Sequence, residues 1–230
     1  VKNFIYFLIL ILILFLCGLW SPWVHWDINW GALIGITTQE KISGLNVFSL
    51  EGEIEVFIDD KLIGTADPEK PLFFDKVTPG RRYLKLVRKS SIDPSIKFWK
   101  YEKTLEFVSG TSVVASYNLG PTDRVSEGQI IYAAKKKNSK DVSKVYLTIL
   151  NAQDFSISVD SSPITNVEGN KFEIAFDTTN QKTFKISKTG YENIEFILLP
   201  SDPDDRNKLR DYNLNVDVIL MKQMLDIQSL

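Results

Sequence analysis

The chain has 230 residues with 27 basic and 29 acidic side chains, a formal net charge of −2, 44% hydrophobic residues and five tryptophans. This supply of core-forming residues with balanced charge excludes a charge-rich disordered chain and a strongly basic nucleic-acid binder. A single Cys and a single His exclude an intrachain disulfide, a Cys/His zinc site and most nucleophile–base pairs beyond whatever His25 offers. No catalytic residue, cofactor or metal is expected.

Hydrophobicity is concentrated at the start. Residues 4–17 read FIYFLILILILFLC, and no formal charge falls between Asn3 and Trp26 while His25 is neutral. A helix of some 17 to 20 residues rises about 25 to 30 Å, the thickness of a bilayer hydrocarbon core, so residues 3–20 predict one transmembrane helix in contact with lipid. A buried soluble helix with no polar face would need protein on every side. A cleaved signal peptide wants a shorter apolar run and an A-x-A pattern, which GLWSPW at 18–23 lacks. Leu16 stands where a lipidated cysteine needs a small neighbour, so Cys17 reads as an apolar residue of the helix.

Lys2 precedes this run and the next basic residue is Lys41. The positive-inside bias therefore puts the N-terminus in the cytoplasm and the bulk of the chain outside the membrane. Trp20, Trp23, Trp26 and Trp30 fit an outer interfacial belt, with sugar stacking as the rival reading. Residues 1–26 are thus the helix and interfacial segment, and 27–44 a juxtamembrane linker.

Beyond Trp30, short Val/Ile/Phe/Tyr runs alternate with turn residues and predict strands over 46–50, 53–59, 82–88, 101–108, 112–118, 144–150, 155–160, 171–176, 183–187, 193–199 and 216–221. The predicted fold is all-β. No amphipathic helix stands out, and 221–230 offers at most a short terminal turn. Within 82–88, Leu84 and Leu86 face the core while Tyr83, Lys85 and Val87 face the other way. Asp59-Asp60 predicts a reversal, because an Asp carboxylate accepts nearby backbone N–H groups and the residue tolerates turn conformations. Gly64 is expected to take unusual dihedrals. In Thr78-Pro79-Gly80 the Pro presets φ and the Gly permits positive φ.

The halves repeat. IEVFIDDKLIG, RRYLKLVRKS, YEKTLEFVSG and TSVVASYNLG in the first half are answered by FSISVDSSPI, KTFKISKTGY, ENIEFILLP and NLNVDVILMK in the second. Each set reads as strand and Asp turn, strand ending in a basic corner, strand, closing strand, and two tandem antiparallel β-sandwich domains are the economical account. The expected domains are 45–121 and 144–222, joined by a solvated linker at 122–143 that carries the charge run AAKKKNSKD, with a tail at 223–230.

These residues resemble the PEGA domain, a small bacterial and archaeal β-domain of envelope and surface-associated proteins. The first repeat matches at Val56-Phe57-Ile58-Asp59, Ile63-Gly64-Thr65, the Pro79-Gly80 turn, Gly110 and Leu119. It departs in Glu51-Gly52-Glu53-Ile54 for the naming motif, in Asp60 for the usual Gly, and in Ser90-Ser91 and an insertion up to Trp99 for the G-Y corner. The second repeat keeps Lys188-Thr189-Gly190-Tyr191 and lacks the P-G turn. Asp59, Gly64, Pro79, Gly80, Gly190 and Tyr191 are the residues this resemblance makes structural. It implies an Ig-like sandwich and an extracytoplasmic binding or spacer role, with no catalytic residues to transfer.

Paired carboxylates are the one catalytic option left, but Glu51, Glu53 and Glu55 read as a solvated strand face, and 201–205 (SDPDD) lacks the ligand spacing of an EF-hand and reads as a polar loop. The basic side is more suggestive. From Asp75 to Lys103, nine Lys or Arg residues stand against three acids, interleaved with aromatics. Arg81, Arg82, Lys85, Arg88, Trp99 and Tyr101 are the binding candidates, toward a cell-wall polysaccharide, another anionic polymer or lipid headgroups. The remaining alternatives are an accessory subunit docking an envelope protein or membrane complex through the helix and, remotely, a glycosidase. The oligomeric state is left open.

Overall fold

Alternation of apolar and polar residues becomes strand along most of the chain. In order the strands are β1 (Ser43–Ser49), β2 (Glu53–Ile58), β3 (Lys61–Ala66), β4 (Leu72–Val77), β5 (Gly80–Lys89), β6 (Lys100–Phe107), β7 (Ser112–Asn118), β8 (Glu127–Lys135), β9 (Lys144–Ile149), β10 (Phe155–Val159), β11 (Ser162–Val167), β12 (Lys171–Ala175), β13 (Lys182–Ser187), β14 (Ile194–Leu198) and β15 (Tyr212–Ile219). The computed structural model describes residues 42–90, 95–138, 141–175, 177 and 179–223. The expected transmembrane helix at 3–20, the belt of Trp20, Trp23, Trp26 and Trp30, and most of the tail fall outside them. Among the described residues, no helix is long and apolar enough to cross a membrane.

The protein is mostly β, in three sheets. One has seven strands in the order β12-β9-β15-β8-β7-β1-β4, and two have four, β3-β2-β5-β6 and β11-β10-β13-β14. The order carries the duplication. β1 runs parallel to β7 and β9 parallel to β15, while β8 is antiparallel to both β7 and β15. β1 to β7 and β9 to β15 are therefore two copies of one seven-strand unit, and β8 lies between them as a strand of both ladders. Ile131 of β8 stands opposite Val114 on one side and Val216 on the other.

Two cores follow. The first gathers Leu45, Val56, Leu84, Leu86, Tyr117 and Ile130; the second gathers Leu147, Ile157, Phe184, Phe196, Val216 and Ala133. Ile130 and Ala133 sit on the same strand an odd number of residues apart, so they point to opposite sides of the sheet. On β15, Val218 joins the second core and its neighbour Ile219 the first. The two four-stranded sheets thus cover opposite faces of the seven-stranded sheet at its opposite ends. Burying Ile130 completely contributes roughly 2 kcal/mol, and only β8 can supply it.

The stretch expected as a solvated linker, 122–143, contains this central strand, and the described residues form one compact unit. Its entry is tightly built. Gly128 has φ 141°, and a Cβ there would lie 2.2 Å from the Ser116 carbonyl oxygen, so only glycine fits where β8 docks on β7. Strands β3, β4, β8 and β11 were not anticipated from the sequence pattern. One short helix, α1 (Pro203–Lys208), replaces the polar loop expected at 201–205: the Asp202 carboxylate accepts the Asp204 backbone N–H at 2.8 Å, with Pro203 at the first turn.

Candidate binding site

The Asp turns of the two repeats are superimposable in their bonding. Asp59 and Asp60 have φ of 50° and 61°, and Asp160 and Ser161 have 50° and 64°, the two successive positive values of a tight hairpin turn. Non-glycine residues hold this conformation because the Asp side chain is used at once. The Tyr83 N–H donates to Asp59 Oδ1 at 3.0 Å and the Asp59 N–H to the Tyr83 carbonyl at 2.8 Å. Thr183 and Asp160 make the same pair of bonds at 3.0 and 2.9 Å. A cation completes each turn, Arg82 on Asp59 at 3.0 Å and Lys182 on Asp160 at 2.9 Å. The Thr183 N–H and Lys182 hold the Asp160 carboxyl below the usual range.

The corners after β5 and β13 are equivalent as well. Leu86 pairs with Tyr101, and Ile186 with Ile194. Counting outward from these pairs matches Arg88 with Lys188 and Phe98 with Tyr191. The contacts agree: the Arg88 guanidinium lies 4.8 Å from the Phe98 ring centre, and Lys188 Nζ lies 5.9 Å from that of Tyr191. The next residue makes the same backbone bond in each copy, Trp99 N–H to the Gly120 carbonyl and Glu192 N–H to the Met221 carbonyl, both at 2.8 Å. The corner expected to be missing from the first repeat is therefore present, with Phe98 in the place of tyrosine and a longer loop between cation and ring.

Each corner opens into a groove. The second, of about 430 Å³, is lined by Asp154, Ser187, Lys188, Thr189 and Tyr191 among others. The first is larger, about 710 Å³, and its walls are Val87, Ile96, Phe98 and Trp99 with Arg88, Lys89, Lys97, Lys100 and Glu102.

The six binding candidates do not form one patch. Period-two geometry sends Arg82 and Arg88 to the inner side of β5 with Leu84 and Leu86, and Arg81 and Lys85 to the outer side. Arg82 belongs to the Asp59 turn. Lys85 meets Asp60 at 3.3 Å and lies over the Phe57 ring at 4.6 Å. Arg88 reaches Glu51 at 3.0 Å, Asn118 Oδ1 at 3.2 Å and the Leu119 carbonyl at 3.3 Å, and it holds the Glu51 carboxyl below its ordinary range. Arg81 is exposed, Trp99 is half-buried against the first core and Tyr101 is buried. The paired carboxylates offset much of the field that the count of basic residues implies. Of the six, Arg88 and Trp99 line the first groove.

Among the family-motif residues, Gly80 takes φ 120° beside Pro79, as expected, and Gly190 takes φ 81°. Gly64 does not adopt positive φ. A Cβ there would lie 2.7 Å from Leu72 Cδ1, so a larger residue would have to displace the end of that side chain.

Sequence reasoning missed a buried polar cluster at the seam of the repeats. Asp217 on β15, 2% exposed, accepts Lys103 Nζ at 2.7 Å and the Tyr101 hydroxyl at 3.2 Å, both from β6 of the first unit. Lys103 also donates to the Tyr132 hydroxyl of β8 at 3.1 Å. Burial works against the Lys103 charge, yet the bonds to Asp217 and Tyr132 hold its ammonium above the ordinary lysine range. Burial and the Asp217 charge push the Tyr132 and Tyr117 hydroxyls up. Tyr117 stacks on Tyr101 with centroids 5.2 Å apart, and its hydroxyl has no hydrogen-bond partner among the described residues. Alternation along β6 and β15 marks these positions as inward-facing; nothing in a single sequence pairs residues 114 positions apart.

No protein-family model matches this chain, and no curated protein is similar to it.

Proposed function

We propose that the protein is a non-enzymatic, single-pass envelope protein with a cytoplasmic N-terminus that displays two PEGA-like, Ig-like β-sandwich repeats outside the membrane as a binding or spacing module. The observation that carries this reading is an uncharged run at 4–17 ahead of a duplicated β unit in which the Asp turn, the cation–aromatic corner and the closing strand all recur. Such a unit is built to hold a surface at a fixed distance and attitude. The one buried carboxylate among the described residues supports the same view, since Asp217 is engaged by Lys103 and Tyr101.

The test is topological. External protease on intact cells is expected to remove epitopes in residues 45–222 while an N-terminal tag stays protected. Protection of 45–222 until lysis would overturn the orientation, and recovery of the chain in the aqueous fraction after carbonate washing would overturn the anchor.

A further inference from the structure

The geometry points to the first corner groove as the binding site for an acidic polysaccharide chain, with Phe98 and Trp99 as the stacking wall and Lys97 and Lys100 as the charge-reading pair. This inference rests on the reading of an extracytoplasmic binding module and names its ligand class. It starts from the equivalence of the corners. In the second repeat two residues, Thr189 and Gly190, separate Lys188 from Tyr191; in the first, nine separate Arg88 from Phe98. The first groove is also the larger of the two, about 710 against about 430 Å³, and where the second has a mostly polar lining it has Ile96, Phe98 and Trp99.

A closing turn needs none of this. Ile96 is 43% exposed, and a flat apolar wall open to water is what the C–H face of a sugar ring covers, its hydroxyls staying solvated at the rim. The sign of the ligand follows from the cations. Among the described residues, four basic side chains line the groove against one carboxylate, Glu102. Arg88 is fixed by Glu51, Asn118 and the Leu119 carbonyl and acts as the shelf under Phe98. Lys100 meets Glu102 at 2.8 Å and Lys89 reaches Glu53 only at 3.9 Å. Lys97 is exposed and makes no ion pair with the described residues. An anionic group seated there meets a cation that none of the described carboxylates holds, and its neighbour Lys100 can turn from Glu102 toward it. Repetition of the charge along a polymer makes a weak single site effective.

The full chain in detergent micelles, immobilised through an N-terminal tag, is presented with polygalacturonate, poly(glycerol phosphate) and neutral dextran. Retention of polygalacturonate over dextran is expected, and retention of poly(glycerol phosphate) alone, which has no sugar ring for Phe98 and Trp99 to stack on, would overturn the inference. Lys97→Glu is expected to weaken that retention about tenfold, with Phe98→Ala comparable and Lys188→Glu in the other corner unchanged. Lys97 is exposed, so its variant keeps the fold, and an unaltered unfolding curve checks this. Equal retention of dextran, retention of no polymer, or full retention by the folded Lys97→Glu and Phe98→Ala variants would overturn the inference. A chain that is shaved from intact cells yet holds no acidic polymer overturns this ligand and leaves the envelope reading standing; a chain protected from protease overturns that reading instead.

Discussion

The two repeats share turns and corners but differ where their edge strands face inward. In the first, β6 presents Tyr101 and Lys103 opposite Leu86 and Leu84; at the matching positions of the second, β14 presents Ile194 and Phe196 opposite Ile186 and Phe184. Tyr117, whose carbonyl takes the Leu50 N–H, corresponds to Val218, which takes the Leu150 N–H. One copy thus encloses a polar seam, while the other closes with the Phe184–Phe196 stack at 5.8 Å between centroids. A purely apolar contact slides at little cost; a lysine, a carboxylate and three phenols fit in one register only. The difference teaches that backbone devices of a duplicated fold are retained where they make the fold, and that side chains diverge where one copy must fix its attitude to the other.

The largest expected effect breaks that seam. Lys103→Met leaves the Asp217 charge buried without its cation and should cost about 3 kcal/mol in a denaturant unfolding curve, while Lys103→Met with Asp217→Leu, which carries the first core toward the chemistry of the second, should recover most of the loss. Additive losses in the double variant would show that the pair is not coupled.

The Asp turns test the part of the plan that is shared. Asp59→Ala and Asp160→Ala should both lower the thermal midpoint, by similar amounts and by less than Lys103→Met. The Asp160 carboxyl is held low in the folded protein, so its contribution is present above the ordinary value of 3.8 and is lost as pH falls through the folded one. The deficit of Asp160→Ala against the parent should therefore shrink in acid titration. A deficit that grows on acidification would refute this assignment.

Tyr117→Phe is expected to stabilise by about 1 kcal/mol, because it removes a buried hydroxyl that the described residues leave without a partner; a loss of stability would show that the hydroxyl is satisfied. The smallest effect lies where β8 begins. Burial, with the Glu192 charge, raises the Glu127 carboxyl above its ordinary 4.5. A raised acid is most compatible with the fold when protonated, so its contribution is present below 4.5 and falls away as pH rises through the folded value. Glu127→Gln should accordingly raise the midpoint slightly at neutral pH and make no difference below the ordinary value; the same gain at both pH values would remove titration as its cause.

The strands with unbroken alternation were legible: 112–118 matches β7 residue for residue, and Leu84 and Leu86 are buried as period two requires. Those that went unread have local reasons. β3 carries Gly64 and Thr65, β4 carries an Asp-Lys pair, and β11 contains Pro163, which an edge strand tolerates because its N–H side need not pair. β8 was hidden by its surroundings, since EGQIIYAAK runs straight into a lysine cluster that reads as solvated linker. Asp202 and Pro203 did hold a readable helix start. The basic residues are dispersed for a simpler reason: alternate residues of one strand face different neighbours, and Asp59, Asp60 and Glu51 return to meet them. The first groove was half legible, through Arg88 and Trp99; Lys97 and Phe98 became significant only when the second corner supplied a template.

The order β12-β9-β15-β8-β7-β1-β4 also settles how far such a pattern can grow. In stacked repeat proteins the outermost unit exposes the same face that its neighbours bury, and another copy can always be added. Here the last strand of each copy, β7 and β15, is interior, and the outer rims belong to β4 and β12, from the middle of each copy. A third copy joined by a connecting strand like β8 would find no rim to continue. The two described copies thus close on one another about β8, because β7 and β15 are each flanked on both sides.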